Sequence, residues 1–235
     1  MQAIRVEREI SGRRLSIETG TFAKLAHGSV TVQYGETVVM GAVVRANPRE
    51  GIDFFPLQVD YRERRAAAGK FPGGFMKREG RPTTKEILTA RLIDRPLRPL
   101  FPKGFIDEVQ IHLTALAYDG QNNPDVLAGI AASSALAISD IPSTHPIAHV
   151  RVGRVNGELI LFPTAEQVEF SDMDVVVAGT RHYVNMIEVG AREVKEADMA
   201  EAIEFGHRAV IEIVGMHRTL PFPAEGMIQA KPGKH

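Results

Sequence analysis

From residue 13 to residue 63 the chain repeats apolar and polar positions with a period of two, interrupted by glycines. RRLSIETG, SVTVQYG and ETVVMGAVV alternate or run with β-branched residues between Gly20, Gly28, Gly35 and Gly41, and read as strands. Gly35-Glu36 between two of these runs predicts a hairpin turn. PLQVDYRE is a further strand, leading into AAAGKFPGGFMKREGRP, whose four glycines and two prolines predict a loop. Thr83 or Thr84 then caps a helix through KEILTARLID, which Pro96 is expected to break, with RPLRPLFPKGF as an extended connection. EVQIHLTALAY reads as a strand and PDVLAGIAASSALAIS as a helix with Pro124 in its first turn and small residues suited to close packing on a sheet. HVRVGRV and GELILFP predict a hairpin around Asn156-Gly157, DMDVVVAG and NMIEVG two more strands, and KEADMAEAIEFGHRAVIEIV the longest amphipathic helix. After Met216 the pattern decays. These elements predict one α+β domain over residues 1–215, with 216–235 as a tail or linker.

Composition narrows the class. The 235 residues are 44% hydrophobic and 24% charged, as in an ordinary globular protein. No run of about 18 apolar residues exists to form a transmembrane helix, so no membrane partner is expected. The N-terminus MQAIRVEREISGRR lacks an apolar signal segment, which predicts a cytoplasmic protein. Zero cysteines exclude disulfides, thiol nucleophiles, iron–sulfur clusters and Cys-based zinc sites. A formal net charge of −1 taken alone argues against a nucleic-acid partner. The distribution reverses that inference. Residues 62–98 hold eleven Lys and Arg and four acids, a balance of +7, which leaves −8 for the rest of the chain. Such segregation is the footprint of a polyanion-binding face.

Two segments in that basic stretch carry candidate chemistry. In FPGGFMKREGRP, Gly73-Gly74 lets a backbone approach a nucleic-acid strand closely, Phe75 and Met76 offer surfaces for a base, and Lys77, Arg78 and Arg81 reach phosphates. In TARLIDRPLRP, Arg91 and Arg95 lie one helical turn apart on one face, joined by Arg98 if the turn continues past Pro96. Two or three guanidinium forks on one side form a site for phosphate or carboxylate. Elsewhere the signals are weak. No glycine-rich nucleotide-binding motif is present, the eight histidines are scattered, and Ser133 and Ser134 read as packing residues of an Ala-rich helix. Asp172 and Asp174 share a strand face and fit either a metal pair or a strand entry in which one acid is a cap.

At these residues the chain resembles the N-terminal core of the bacterial polynucleotide phosphorylase family. The words that carry the likeness are GRRLSIETGTFAKLAHGSV, FPGGFMKREGRPTTKEILTARLIDRPLRPLFP, NNPDVLAGIAASSALAIS and DMDVVVAGT. The resemblance implies a ribonuclease-PH-like core related to the second domain of ribosomal protein S5, and a homotrimeric ring around an RNA channel. It implies processive 3′→5′ phosphorolysis of single-stranded RNA to nucleoside diphosphates, with inorganic phosphate and Mg²⁺ in the full-length enzyme, and possible recruitment to an RNA-degradation complex. Family members carry two such cores, a helical domain and RNA-binding domains, so the sequence is expected to be the first core of a longer chain. The family's catalytic core places serines where Asn123-Pro124-Asp125 stand here, and two Asp and a Lys where Val168, Asp174 and Val176 stand. The resemblance therefore assigns this core no catalytic residue and no metal ligand. It implies RNA contacts at Phe75, Met76, Lys77, Arg78 and Arg81, and a vestigial anion pocket at Arg91, Arg95, Arg98 and Arg151. A stand-alone, non-enzymatic RNA-binding or ring-forming subunit of ribonuclease-PH type is the alternative.

Overall fold

The computed structural model describes residues 3–78, 80–217, 219 and 220. Its first sheet is built from β1 (Ile4–Ile10), β2 (Arg13–Thr19), β3 (Gly28–Tyr34), β4 (Thr37–Ala46), β5 (Leu57–Glu63) and β6 (Glu108–Ala117), in the order β1-β2-β3-β4-β6-β5. All neighbours are antiparallel except β5 and β6. The second sheet holds β7 (Ala148–Val155), β8 (Glu158–Leu161), β9 (Met173–Gly179) and β10 (Val184–Ala191), antiparallel in the order β10-β9-β7-β8. Helices α1 (Thr84–Leu97), α2 (Pro124–Ala137), α3 (Ala165–Phe170) and α4 (Glu196–His217) complete the α+β fold.

The period-two segments do what their pattern requires. Val30, Val32 and Tyr34 of β3 bury one face while Thr31 and Gln33 face outward. That buried face is covered by α2, whose residues Pro124 to Leu136 are all buried. A helix without a polar stripe must be enclosed on all sides, and α2 packs on β3, β4 and β6 of one sheet and on β7 of the other. Small residues permit the close approach. A Cβ placed on Gly129 would stand 2.4 Å from the His149 ring of β7. The amphipathic α4 covers β7 and β9 through Ala202, Ala209, Val210 and Ile213.

The structure departs from the expected elements in four places. Pro96 does not break α1, which runs to Leu97 and continues as a 3₁₀ turn at Arg98–Leu100, so RPLRPLFPKGF is not an extended connection. Proline removes only one hydrogen bond, that to the Leu92 carbonyl, and this close to the helix end the loss is local. The freed carbonyl faces the buried His149 imidazole, and the side-chain amide of Asn185 donates to the Pro96 carbonyl at 2.9 Å. β1 and α3 are additional elements; α3 opens with a capping box between Thr164 and Gln167. The glycine-rich loop contains two 3₁₀ turns, Arg65–Ala68 and Phe75–Lys77. The tail expected after residue 215 begins inside α4, and residues 221–235 lie outside the described residues.

Candidate nucleic-acid interface

The basic stretch becomes a loop presented by two rigid elements, β5 before it and α1 after it. Thr83 caps α1: its hydroxyl accepts the Glu86 amide, and the Glu86 carboxylate accepts the Thr83 amide at 2.6 Å and the Glu63 amide at 2.8 Å. The end of β5 is thereby tied to the start of α1, fixing both ends of the loop. These hydrogen bonds outweigh partial burial and hold the Glu86 carboxyl below its ordinary range. Gly73 adopts φ +79° just before the Phe75–Lys77 turn. Phe75 is 78% exposed, and the Arg78 guanidinium lies 5.6 Å from its ring centroid, a cation–π contact on an otherwise free face. Lys77, Arg78 and Arg81 are exposed. The Met76 side chain, assigned above to stacking, lies outside the described residues. Phe71, not singled out from the sequence, is the more exposed aromatic at 94%. An exposed aromatic with cations beside it can stack on a base and hold its phosphate, without reading sequence.

The arginines of α1 do not form one site. Arg91 and Arg95 are exposed on the same helix face, as their spacing requires. Arg95 pairs with Glu188 of β10 at 3.3 Å, while Arg91 has no ion pair among the described residues. Arg98 turns away: it holds Asp94 with two hydrogen bonds of 3.2 and 2.8 Å and donates at 3.1 Å to the carbonyls of Phe55 and Leu57. Its donors are consumed in fastening α1 to the start of β5.

Of the four arginines named as an anion pocket, only Arg151 lines the cleft between α1, the start of α2, and β9–β10, a space of about 590 Å³. Arg151 is nearly buried and sits between two carboxylates, Asp125 at 3.0 Å and Asp174 at 3.0 Å. The Asp125 carboxylate occupies the first turn of α2, where the helix dipole favours an anion, and accepts the Val126 amide at 2.7 Å. With Glu188 and Lys85 the cleft lining has three acids and two bases. An internal anion therefore answers Arg151, and the expected anion-accepting pocket is not assembled from these arginines. Burial raises the Asp174 carboxyl; Arg151 draws it back down, and Asp125 and Glu188 push it further up. Asp172 is not its metal partner. It is held by the Arg154 fork at 3.0 and 2.6 Å, and Arg154 also reaches Asp198 of α4 at 2.7 Å. Val176 is buried in the cleft wall, and Val168 lies on α3 away from it. No group of three His, Cys, Asp or Glu suited to a metal occurs among the described residues. The Asp125 and Asp174 carboxylates are both paired with Arg151, and Val168 and Val176 bring no ligand, so these residues do not fit a catalytic Mg²⁺.

The profile for domain 1 of the 3′ exoribonuclease family matches residues 11–142, and that for domain 2 matches residues 145–209. The chain belongs to the 3′ exoribonuclease family. The two family segments meet in the loop between α2 and β7, at the passage from the first sheet to the second. The chain is 57% identical over 216 residues to polyribonucleotide nucleotidyltransferase of Rhodopirellula baltica, covering 92% of this chain and 29% of that protein. Over 213 residues it is also 57% identical to the same-named protein of Heliobacterium modesticaldum, covering 90% and 30%. It thus spans about 30% of the length of these relatives. The crystal structure of rice Rrp46 shares the fold, with a TM-score of 0.69 at 17% identity, covering 93% of each chain. No helix among the described residues is long and apolar enough to cross a membrane.

Proposed function

We propose that this chain is the non-catalytic, RNA-handling first core of a polyribonucleotide nucleotidyltransferase, an enzyme that degrades single-stranded RNA 3′→5′ by phosphorolysis. One observation carries the reading: a solvated Phe75–Arg78 pair stands on a loop anchored at both ends, in a chain over half identical to proteins of that name. The cleft supplies the complementary half. Where a phosphorolytic site needs an open anion cradle and a metal, this one holds Arg151 between two carboxylates and a buried Val176. Inorganic phosphate and Mg²⁺ accordingly serve the parent enzyme elsewhere, and this core threads the strand. The parent is a cytoplasmic homotrimer that can join an RNA-degradation complex; segregation of charge onto one stretch suits a ring whose inner surface faces RNA.

The test is binding of a fluorescein-labelled oligoadenylate by the chain and by Phe75→Ala. Loss of one stacked base weakens binding by about 1–3 kcal/mol, roughly five- to 150-fold. Equal affinity of the two proteins would remove the loop from the RNA path.

A further inference from the structure

Beside the loop lies a separate groove of about 200 Å³, closed on one side by the Arg65–Ala68 turn. Its floor is apolar, made of Ala67, Ala68, Ala115 and Pro124. Its rim carries Arg64, Arg65, Lys85 and the ring of Tyr118. The Tyr118 amide donates to the Ala67 carbonyl at 2.9 Å, so the turn and the Tyr118 backbone are fixed to each other. The one acid lining it among the described residues is already answered: Glu63 takes Lys85 at 2.9 Å and the Tyr61 hydroxyl at 2.7 Å. Arg64 donates to the Arg78 carbonyl at 3.2 Å, joining the groove to the Phe75 loop. Arg65 has no ion pair among the described residues, and the Tyr118 hydroxyl makes no hydrogen bond there.

We propose that this groove is a nucleotide subsite, in which one base of single-stranded RNA lies against Tyr118 and the alanine floor while Arg64 and Arg65 hold its phosphate. It rests on the RNA-handling reading and deepens it. Size and chemistry select the occupant. The space is below the about 300–1,000 Å³ of pockets that enclose a whole small ligand, and suits one flat ring with its remainder in solvent. An apolar floor with one aromatic wall takes a π-face, and two guanidinium groups at its edge take a phosphate. Because Arg64 bridges to Arg78, a strand leaving Phe75 meets this groove next, and the two contacts form one track.

The experiment measures binding of labelled oligoadenylate to the full chain at several salt concentrations, with Tyr118→Ala, Tyr118→Phe, Arg65→Ala and Phe75→Ala. Tyr118→Ala should weaken binding about tenfold while Tyr118→Phe retains it. Arg65→Ala should reduce the salt slope by about 0.7, the share of one phosphate on a single strand. Native affinity in both Tyr118→Ala and Arg65→Ala, with weakening in Phe75→Ala, would overturn the groove and leave the loop standing. Native affinity in all variants, or no binding by the unsubstituted chain, would overturn both. Should Tyr118→Ala fail to fold, the Arg65→Ala salt slope alone decides: an unchanged slope refutes the subsite.

Discussion

Acidification from pH 7 to pH 5 should destabilise the fold, and the cause is two histidines. His149 and His217 are fully buried. Desolvation pushes each imidazole down to about 4, against partial support from the Leu92 carbonyl for His149 and from the Val214 and Ile213 carbonyls for His217. Both are neutral in the folded chain. Unfolding releases them to about 6.5, so between those values the unfolded chain binds protons the folded chain refuses. Stability is complete above pH 6.5 and falls as pH drops toward 4. The shift corresponds to about 2 kcal/mol for each histidine at pH 5, and about 4 kcal/mol together. Carboxylates with depressed values, such as Asp119 at about 2, lose their contribution only at lower pH, and the raised Asp174 works in the opposite direction. Above pH 5 the two histidines are therefore the groups whose protonation lowers stability. Urea unfolding at pH 7 and pH 5 measures the difference. His217→Gln, which retains a polar partner for Ser134 at the end of α4, should remove about half of it. Equal unfolding midpoints at the two pH values would refute the reasoning, as would an undiminished difference in the variant.

Gly129→Ala puts a methyl into the His149 ring and should destabilise by roughly 1–3 kcal/mol by urea unfolding, despite alanine's better helix propensity; His149→Ala in the same chain should recover most of that loss, and a more stable single variant would contradict the packing. Asp125→Asn with Asp174→Asn removes both anions held by Arg151 and should let inorganic phosphate bind measurably by calorimetry, where the native cleft is expected not to. Phosphate binding of equal strength in both proteins would show that the two carboxylates do not occupy the anion's place.

Legibility in the sequence followed the range of the interactions. Strands and helices with a clean period were readable because burial of one face is encoded locally: β3, β4, α2 and α4 stand where their patterns place them. Pro96 misled because the rule against proline assumes a helix interior, whereas here a single lost bond falls near the helix end. The exposed Phe75 loop was legible from glycine, aromatic and basic residues in one short segment. Arg98 was not, because its partners, the carbonyls of Phe55 and Leu57, lie some forty residues away in sequence. The same holds for Arg151, whose two carboxylates come from α2 and β9. The Tyr118 groove draws on β5, the Arg65–Ala68 turn, α1, β6 and α2 and leaves no motif; its one local signal is the Arg64-Arg65 pair at the end of a strand.

One gel tests the central claim most directly: the chain mixed with end-labelled oligoadenylate, inorganic phosphate and Mg²⁺, run under native conditions. A retarded band of intact oligonucleotide, with no shortened products and no nucleoside diphosphate, is the expected result. Phosphate-dependent shortening would contradict the non-catalytic cleft, and an unretarded oligonucleotide would contradict the RNA-handling face.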